Sequence, residues 1–199
     1  MNDVPAVQAG EATLEPTSGH SWQIATLTIE DCDELGVVHI EIWRHAYADH
    51  MPAEYLAGLD AALWAGNWRK RAADAAVAAR TLVARDAEGH IVGFASAGPT
   101  RDEYPVTEYE LYAVNLLPHM QGTGLADELM ERVLGPRPAT LWVLEGNERA
   151  QAFYRRHGFV PEGAHAAYDS TGTPEIRMVR WPDAAQHEAP QAAGDLAGP

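Results

Sequence analysis

Apolar residues along this chain change their spacing several times, and each change marks an element. The stretch "WQIATLT" (Trp22–Thr28) reads as a strand. Thr28 and Asp31 resemble a capping box. It would open a helix that carries Leu35, Val38, Ile42 and Ala46 at steps of three and four and stops near Ala48. A second helical zone runs from about Pro52 to Ala79 and holds Trp64, Trp68 and the charged "RKR". The period then drops. "RTLVARDAEGHIVGFASAG" reads as strand, turn, strand, and "TEYELYAVNLL" as another strand after the loop "PTRDEYPV". A glycine-containing turn leads into a helix with Leu125, Leu129 and Val133 on one face. "ATLWVLE" is a strand, and "NERAQAFYRRH" is a helix with Gly158 as its C-cap. "GFVPEG" and "PEIRMVRW" close the pattern as short strands. Hairpins mixed with crossover helices predict an α/β (α+β) sandwich rather than an all-parallel sheet. Residues 1–20 and 182–199, rich in Ala, Glu, Pro and Gly, are expected to be disordered tails around one domain spanning 21–181.

Composition narrows the functional classes. With 46% hydrophobic residues the 199-residue chain can bury an ordinary core, and no apolar run is long enough to cross a membrane. Asp3 and the lack of an apolar stretch behind it argue against a secretory signal. Cys32 is the sole cysteine, so neither an internal disulfide nor a cysteine-rich zinc site is expected, and a cytoplasmic location fits. The net charge of −15 lacks the basic footprint that nucleic acid demands, but it permits a cationic amine as substrate. His39, His45 and His50 lack the i, i+4 spacing of a helical zinc pair, so no metal is expected.

The candidate chemistry centres on "LPHMQGTGLADEL". It is no P-loop, because no Lys-Ser/Thr pair follows the glycines. Nor is it a dinucleotide fingerprint, because Asp127 stands where the third glycine belongs. A serine-hydrolase elbow is also missing, since Phe94 takes the first glycine's place before Ser96. What remains is Q-G-T-G-L-A at a helix N-terminus. Free backbone N–H groups and the helix dipole can hold a phosphate there, and glycine lets the backbone come close. The plainer alternative is a tight strand-to-helix turn without a ligand.

The wider stretch "ELYAVNLLPHMQGTGLADELM" resembles the acetyl-CoA signature of the GNAT superfamily of N-acetyltransferases, with Gln121, Gly124 and Ala126 in its defining places. Downstream, "LWVLEGNERAQAFYRRHGFVPEG" is similar to the family's second signature. Upstream, "IWRHAYADHMPAEYL" and "NWRKR" look like the amino-terminal helices of bacterial members, so the likeness covers roughly Trp22 to Arg180. Ala126 replaces the commoner glycine, and the "GPRPAT" connection is short. The resemblance implies a mixed, mostly antiparallel sheet of six to seven strands, splayed between its fourth and fifth strands and flanked by helices. It also implies acetyl-CoA as co-substrate, direct acetyl transfer to a primary amine, and a possible homodimer.

Roles follow residue by residue from the resemblance. Gln121, Gly122, Thr123, Gly124, Leu125 and Ala126 would seat the pyrophosphate. Leu116 and Leu117 would hold the pantetheine arm by main-chain groups, at a splay expected over Val114 to Leu117. Asn147 would bind the same arm, although alone it reads as an N-cap. Tyr154 matches the general acid, its alternative being a core aromatic beside Phe153. Glu108, Glu110 and Tyr112 alternate along one strand and share a face. Glu110, eleven residues before Gln121, stands at the spacing of the family's strand base, with Glu108 as runner-up or the edge of the sheet as the alternative for both.

The acceptor would lie among the first helices, the 100–106 loop and the last strands. Trp43, Tyr47, Trp68 and Tyr104 are candidates to line it, with Tyr55 and Trp64, unless they are core. Asp102, Glu103 and Glu108 would draw in a cationic amine. A small-molecule acceptor predicts a closed aromatic pocket, a protein acceptor an open groove, and a non-catalytic acyl-CoA sensor no turnover at all.

Overall fold

The β-forming runs assemble into a single sheet. The computed structural model describes residues 21–181, so the two predicted tails lie outside the described residues. In chain order the elements are β1 (Trp22–Thr26), α1 (Cys32–Ala46), α2 (Ala53–Ala57), α3 (Ala61–Ala72), α4 (Ala75–Ala78), β2 (Thr81–Asp86), β3 (Ile91–Pro99) and β4 (Tyr109–Leu116). A 3-10 turn (Pro118–Met120) then leads to α5 (Leu125–Leu134), β5 (Ala139–Leu144), α6 (Glu148–Arg156), β6 (Val160–Ala167) and β7 (Pro174–Arg180). The strands of the 7-stranded sheet lie in the order β1-β2-β3-β4-β5-β7-β6. Every neighbouring pair is antiparallel except β4 and β5.

β3 is buried along nearly its whole length, which explains its unbroken run of small and apolar residues. Both α1 and α5 pack on it. Leu35 and Ile42 from α1 and Leu125 and Leu129 from α5 join Phe94 and Leu141 in one core.

Local chemistry explains where the helices start and stop. The zone Pro52–Ala79 is not continuous. Asp60 and Asp74 each cap a fresh helix, with one carboxylate oxygen accepting from the N–H groups of Ala62 and Leu63, and of Ala76 and Val77. The Thr28–Asp31 pair forms only half of a capping box. Asp31 accepts from the Thr28 backbone N–H at 2.7 Å and from its hydroxyl, and α1 starts after Asp31 rather than after Thr28. At the other end of the chain α6 finishes as expected. Gly158 takes φ 81°, its N–H reaches the Arg155 carbonyl, and that of Phe159 reaches Tyr154, a Schellman close.

Two irregularities shape the middle of the sheet. β4 pairs with β5 at a single rung among the described residues, Glu110 with Thr140, so the strands part from there onward. The opening thus begins four residues earlier than the predicted Val114. Between Ser96 and Ala97 the β3–β4 register also shifts, leaving Tyr112 as the extra residue of a bulge. Tyr112 then lies across Gly98 and donates its hydroxyl to the Pro99 carbonyl.

A second glycine of β3 sets the position of the β4 end. A Cβ on Gly93 would stand 2.4 Å from Leu116 Cδ2 and 2.8 Å from the Asn115 carbonyl oxygen. Gly93→Ala should therefore cost about 1–3 kcal/mol, as overpacking of a tight core does. Chemical denaturation should show a lower midpoint with an unchanged slope; an unaltered midpoint would contradict this packing.

Candidate active site

Where β4 and β5 part, a cavity of about 1050 Å³ opens between the sheet, α1, α3 and α6. Its wall on the sheet side runs from Glu110 to Leu116 on β4 and from Trp142 to Leu144 on β5. Backbone groups on the facing edges of these strands have no rung to complete them, so they are free to bind a ligand.

One end of the cavity is the glycine turn. Gly122 and Gly124 have φ of 77° and 94°, which favours glycine, and a Cβ on either would project into open space. Gly124 is the N-cap of α5 and brings no side chain to the cap, so the N–H groups of Ala126 and Asp127 meet no capping side chain. Gln121, Gly122 and Ala126 line the cavity, and Arg149 donates to Gln121 Oε1 at 2.6 Å. Thr123 is exposed and off the cavity wall, its hydroxyl donating to the Met120 carbonyl at 2.8 Å. Leu125 is core; its N–H points to the Thr123 hydroxyl. Gly124 and Thr123 thus shape the turn from behind, and neither they nor Leu125 form the cavity wall.

The strand ends sort the leucines. Leu116 lines the cavity. Leu117 does not, and both of its main-chain groups are used: its N–H bonds Val92 and its carbonyl accepts from Met120. Its N–H is therefore not available to the ligand that it was expected to hold by its main chain. On α6, Asn147 lines the cavity while its side-chain oxygen caps the helix, accepting from Ala150 N–H at 3.0 Å. Tyr154 also lines it, packed against Phe153 and Phe159. Burial, and after it the nearby Tyr47, hold the Tyr154 phenol well above its ordinary pKa, so it keeps its proton until a strong base appears.

Glu110 sits at the fork itself and is almost fully buried, 1% exposed. Its carboxylate is closed off by Arg101. The Arg101 backbone N–H donates to Oε2 at 2.9 Å, and the guanidinium reaches both oxygens while stacking 4.4 Å over the Tyr112 ring. Glu175, from β7, lines the same cavity and has no ion pair among the described residues. Burial raises its pKa.

The other end is an aromatic box. His39 is buried with Trp64 at 4.0 Å, Phe94 at 4.9 Å, Trp43 at 5.3 Å and Trp68 at 5.6 Å between ring centroids. Burial, helped by Arg71, lowers the His39 pKa to about 3, so the imidazole is neutral. Trp43, Tyr47, Trp64 and Trp68 all line the cavity, together with Tyr168. Tyr55 packs behind them and reaches only the Tyr168 hydroxyl.

Two residues expected to contact the substrate lie elsewhere. Tyr104 is 79% exposed and off the cavity wall, and Glu108 precedes β4 and faces solvent. The bend that ends the 100–108 loop breaks the alternation that would have put Glu108 beside Glu110. Asp102 does line the cavity, but its oxygens are taken by Trp142 Nε1 and Arg177, each at 2.8 Å. Arg71, Arg101, His39, Tyr168 and Glu175 were not singled out from the sequence as contact residues. Only Arg101 had a local signal, as the cation nearest Glu110 in the "PTRDEYPV" loop.

Comparison with known proteins fits this geometry. A family model described as an acetyltransferase (GNAT) domain matches residues 78–161. The N-acetyltransferase YuaI of Bacillus subtilis, itself named as uncharacterized, is 30% identical over 165 residues, covering 78% of this chain and 90% of YuaI. This chain belongs to the GNAT superfamily of N-acetyltransferases. The GNAT protein Rv2669 of Mycobacterium tuberculosis, likewise named an uncharacterized N-acetyltransferase, is 32% identical over 142 residues, 67% of this chain and 85% of its own. Among solved structures, the PaiA N-acetyltransferase of Thermoplasma acidophilum in complex with coenzyme A superposes with a TM-score of 0.58 at 22% identity. That match covers 81% of this chain and 99% of PaiA and shows the shared fold. As a GNAT enzyme the chain is an acyltransferase, and its sheet, forked at a parallel β4–β5 pair, is the GNAT sheet that the sequence predicted.

Proposed function

We propose that this enzyme moves an acetyl group from acetyl-CoA directly to a primary amine of a small molecule. The observation that carries the small-molecule reading is the aromatic box around His39, whose rings would surround a small acceptor where a polypeptide would need an open groove. The donor half rests on the glycine turn. The open space over Gly122 and Gly124, next to first-turn N–H groups, suits a pyrophosphate, with Gln121 and Ala126 beside it. Leu116 and Asn147 stand where the pantetheine arm would pass, and a β4 amide freed by the fork would polarise the acetyl carbonyl.

The chemistry needs one proton removed early and one supplied late. An amine of pKa about 10.4 is charged at neutral pH, and stripping it costs about 4–5 kcal/mol. Glu110 is the base in this reading, directly or through a water, once Arg101 has moved off its carboxylate. The amine lone pair then attacks the acetyl carbon, the C–N bond forms, and the C–S bond breaks with its electrons on sulfur. Tyr154 protonates that sulfur, and the second proton leaving nitrogen restores the phenol through solvent.

Release of free thiol from acetyl-CoA, followed against a panel of amines, amino acids, antibiotics and peptides, tests the reading. Turnover of at least one small amine is expected. Turnover confined to peptides would favour a protein acceptor, and acetyl-CoA binding with no turnover of any kind would favour a sensor.

A further inference from the structure

The cavity holds a guanidinium that no carboxylate among the described residues pairs with. Arg101 has Glu110, but Arg71 has no ion pair among the described residues. Its guanidinium lies 5.0 Å over the Trp68 ring, and the charges that act on it are those of Arg101 and Tyr112. Arg71 is an exposed residue overall, and partial loss of solvent at its guanidinium, then the like charge of Arg101, pull its pKa down. An unpaired guanidinium in such a cavity is stabilised when an anion joins it.

The indole N–H groups of Trp43 and Trp68, both His39 nitrogens and the Ser96 hydroxyl have almost no exposed surface and no partner among the described residues, so the box offers a ligand its rings rather than these polar atoms. Of the carboxylates expected to draw in a plain cation, Asp102 is held by Arg177, and Glu103 and Glu108 lie off the cavity wall; Glu110, the expected base, is held by Arg101. Glu175 and Asp169 remain as carboxylates that line the cavity without an ion pair among the described residues, and Glu175 feels the charge of Arg101.

From this arrangement we infer that the acceptor is an amino carboxylate with a flat apolar body, its carboxylate between Arg71 and Arg101 and its ammonium toward Glu175. The inference rests on the acetyltransferase reading above and specifies its substrate class. A carboxylate in that position competes with Glu110 for Arg101, whose side chain is 62% exposed. Substrate entry therefore releases the base that Arg101 holds in the empty enzyme. A polyamine or simple alkylamine brings no anion, and meets two cations instead.

Phenylalanine and 2-phenylethylamine differ by the carboxylate alone and serve as probes. At saturating acetyl-CoA, kcat/KM for phenylalanine should exceed that for 2-phenylethylamine by about ten- to a hundredfold, as a charge-assisted pair would give. Arg71→Gln should shrink that ratio at least tenfold, through KM, and Arg71→Lys should restore part of it. Quenching of tryptophan fluorescence by phenylalanine reads binding without turnover and should saturate in the wild type and weaken in Arg71→Gln. Calorimetric binding of coenzyme A shows that each variant is folded. Equal or better use of 2-phenylethylamine overturns the inference, as does an unchanged ratio in Arg71→Gln, or phenylalanine that is neither turned over nor bound. If other amines are still acetylated, acetyl transfer stands and only this substrate class falls; if acetyl-CoA is not bound at all, both readings fall.

Discussion

Tyr154→Phe is expected to lower kcat by about 10²- to 10⁴-fold while the KM for acetyl-CoA changes little. The substitution removes one hydroxyl and keeps the ring that packs on Phe153 and Phe159. In the proposed mechanism substrate binding does not use the phenolic proton and the departing thiolate does, so the loss would belong to the transition state. Burial and the nearby Tyr47 keep that proton in place at neutral pH, which suits a group that must give it up only as charge builds on sulfur. Glu110→Gln should behave similarly, with one difference. It also releases Arg101, so its KM for the acceptor should shift as well. Steady-state kinetics on an acceptor found in the thiol-release panel decide the matter. A Tyr154→Phe enzyme within about threefold of wild type would remove the phenol from the mechanism.

A second large effect is expected on stability. His39 is 6% exposed, and its pKa lies at about 3 in the folded protein against 6.5 for the free side chain. Between those values the unfolded chain binds a proton that the folded one refuses. The stability associated with a neutral His39 is thus complete above about pH 6.5 and is lost as pH falls toward 3, at up to about 1.4 kcal/mol per pH unit. Over the whole window this comes to something on the order of 4 kcal/mol, a large share of the ~5–15 kcal/mol of a typical domain. Its neighbours make the direction firm. Trp43, Trp64, Trp68 and Phe94 offer the imidazolium no carboxylate, and Arg71 repels it. His39→Phe keeps the ring packing and deletes the titration. Urea unfolding of both proteins between pH 7.5 and 4 should show the wild type losing ground steadily relative to the variant. Parallel curves would mean that His39 finds a proton acceptor when the protein is folded.

The donor side of this enzyme was legible because its chemistry is written locally. The turn Gln121–Ala126, the cap at Asn147 and the Schellman close at Gly158 each depend on residues within a few positions of one another. The fork between β4 and β5 could be anticipated by family likeness, but its start at Glu110 depends on a rung with Thr140 that no spacing reveals. The acceptor side was far less legible. Asp102 looks like a lure for cations until it meets Arg177, 75 residues later, and Trp142. Glu110 looks like a free base until Arg101 folds over it. Such pairings belong to the fold. Asp60 and Asp74 are a different case, because their capping positions are local and readable. An alanine-rich background made the Pro52–Ala79 zone look continuous and masked them.

The single rung between β4 and β5 also bears on how the two halves of the molecule hold together. β1 through β4 form one fully laddered block and β5, β7 and β6 another, joined in the sheet by the contact of Glu110 with Thr140. A pantetheine arm lying in the gap would bond to the exposed edge much as an added strand does. Coenzyme A would then serve as a structural member of the sheet, and the empty protein would be weakest along the seam where its donor substrate belongs.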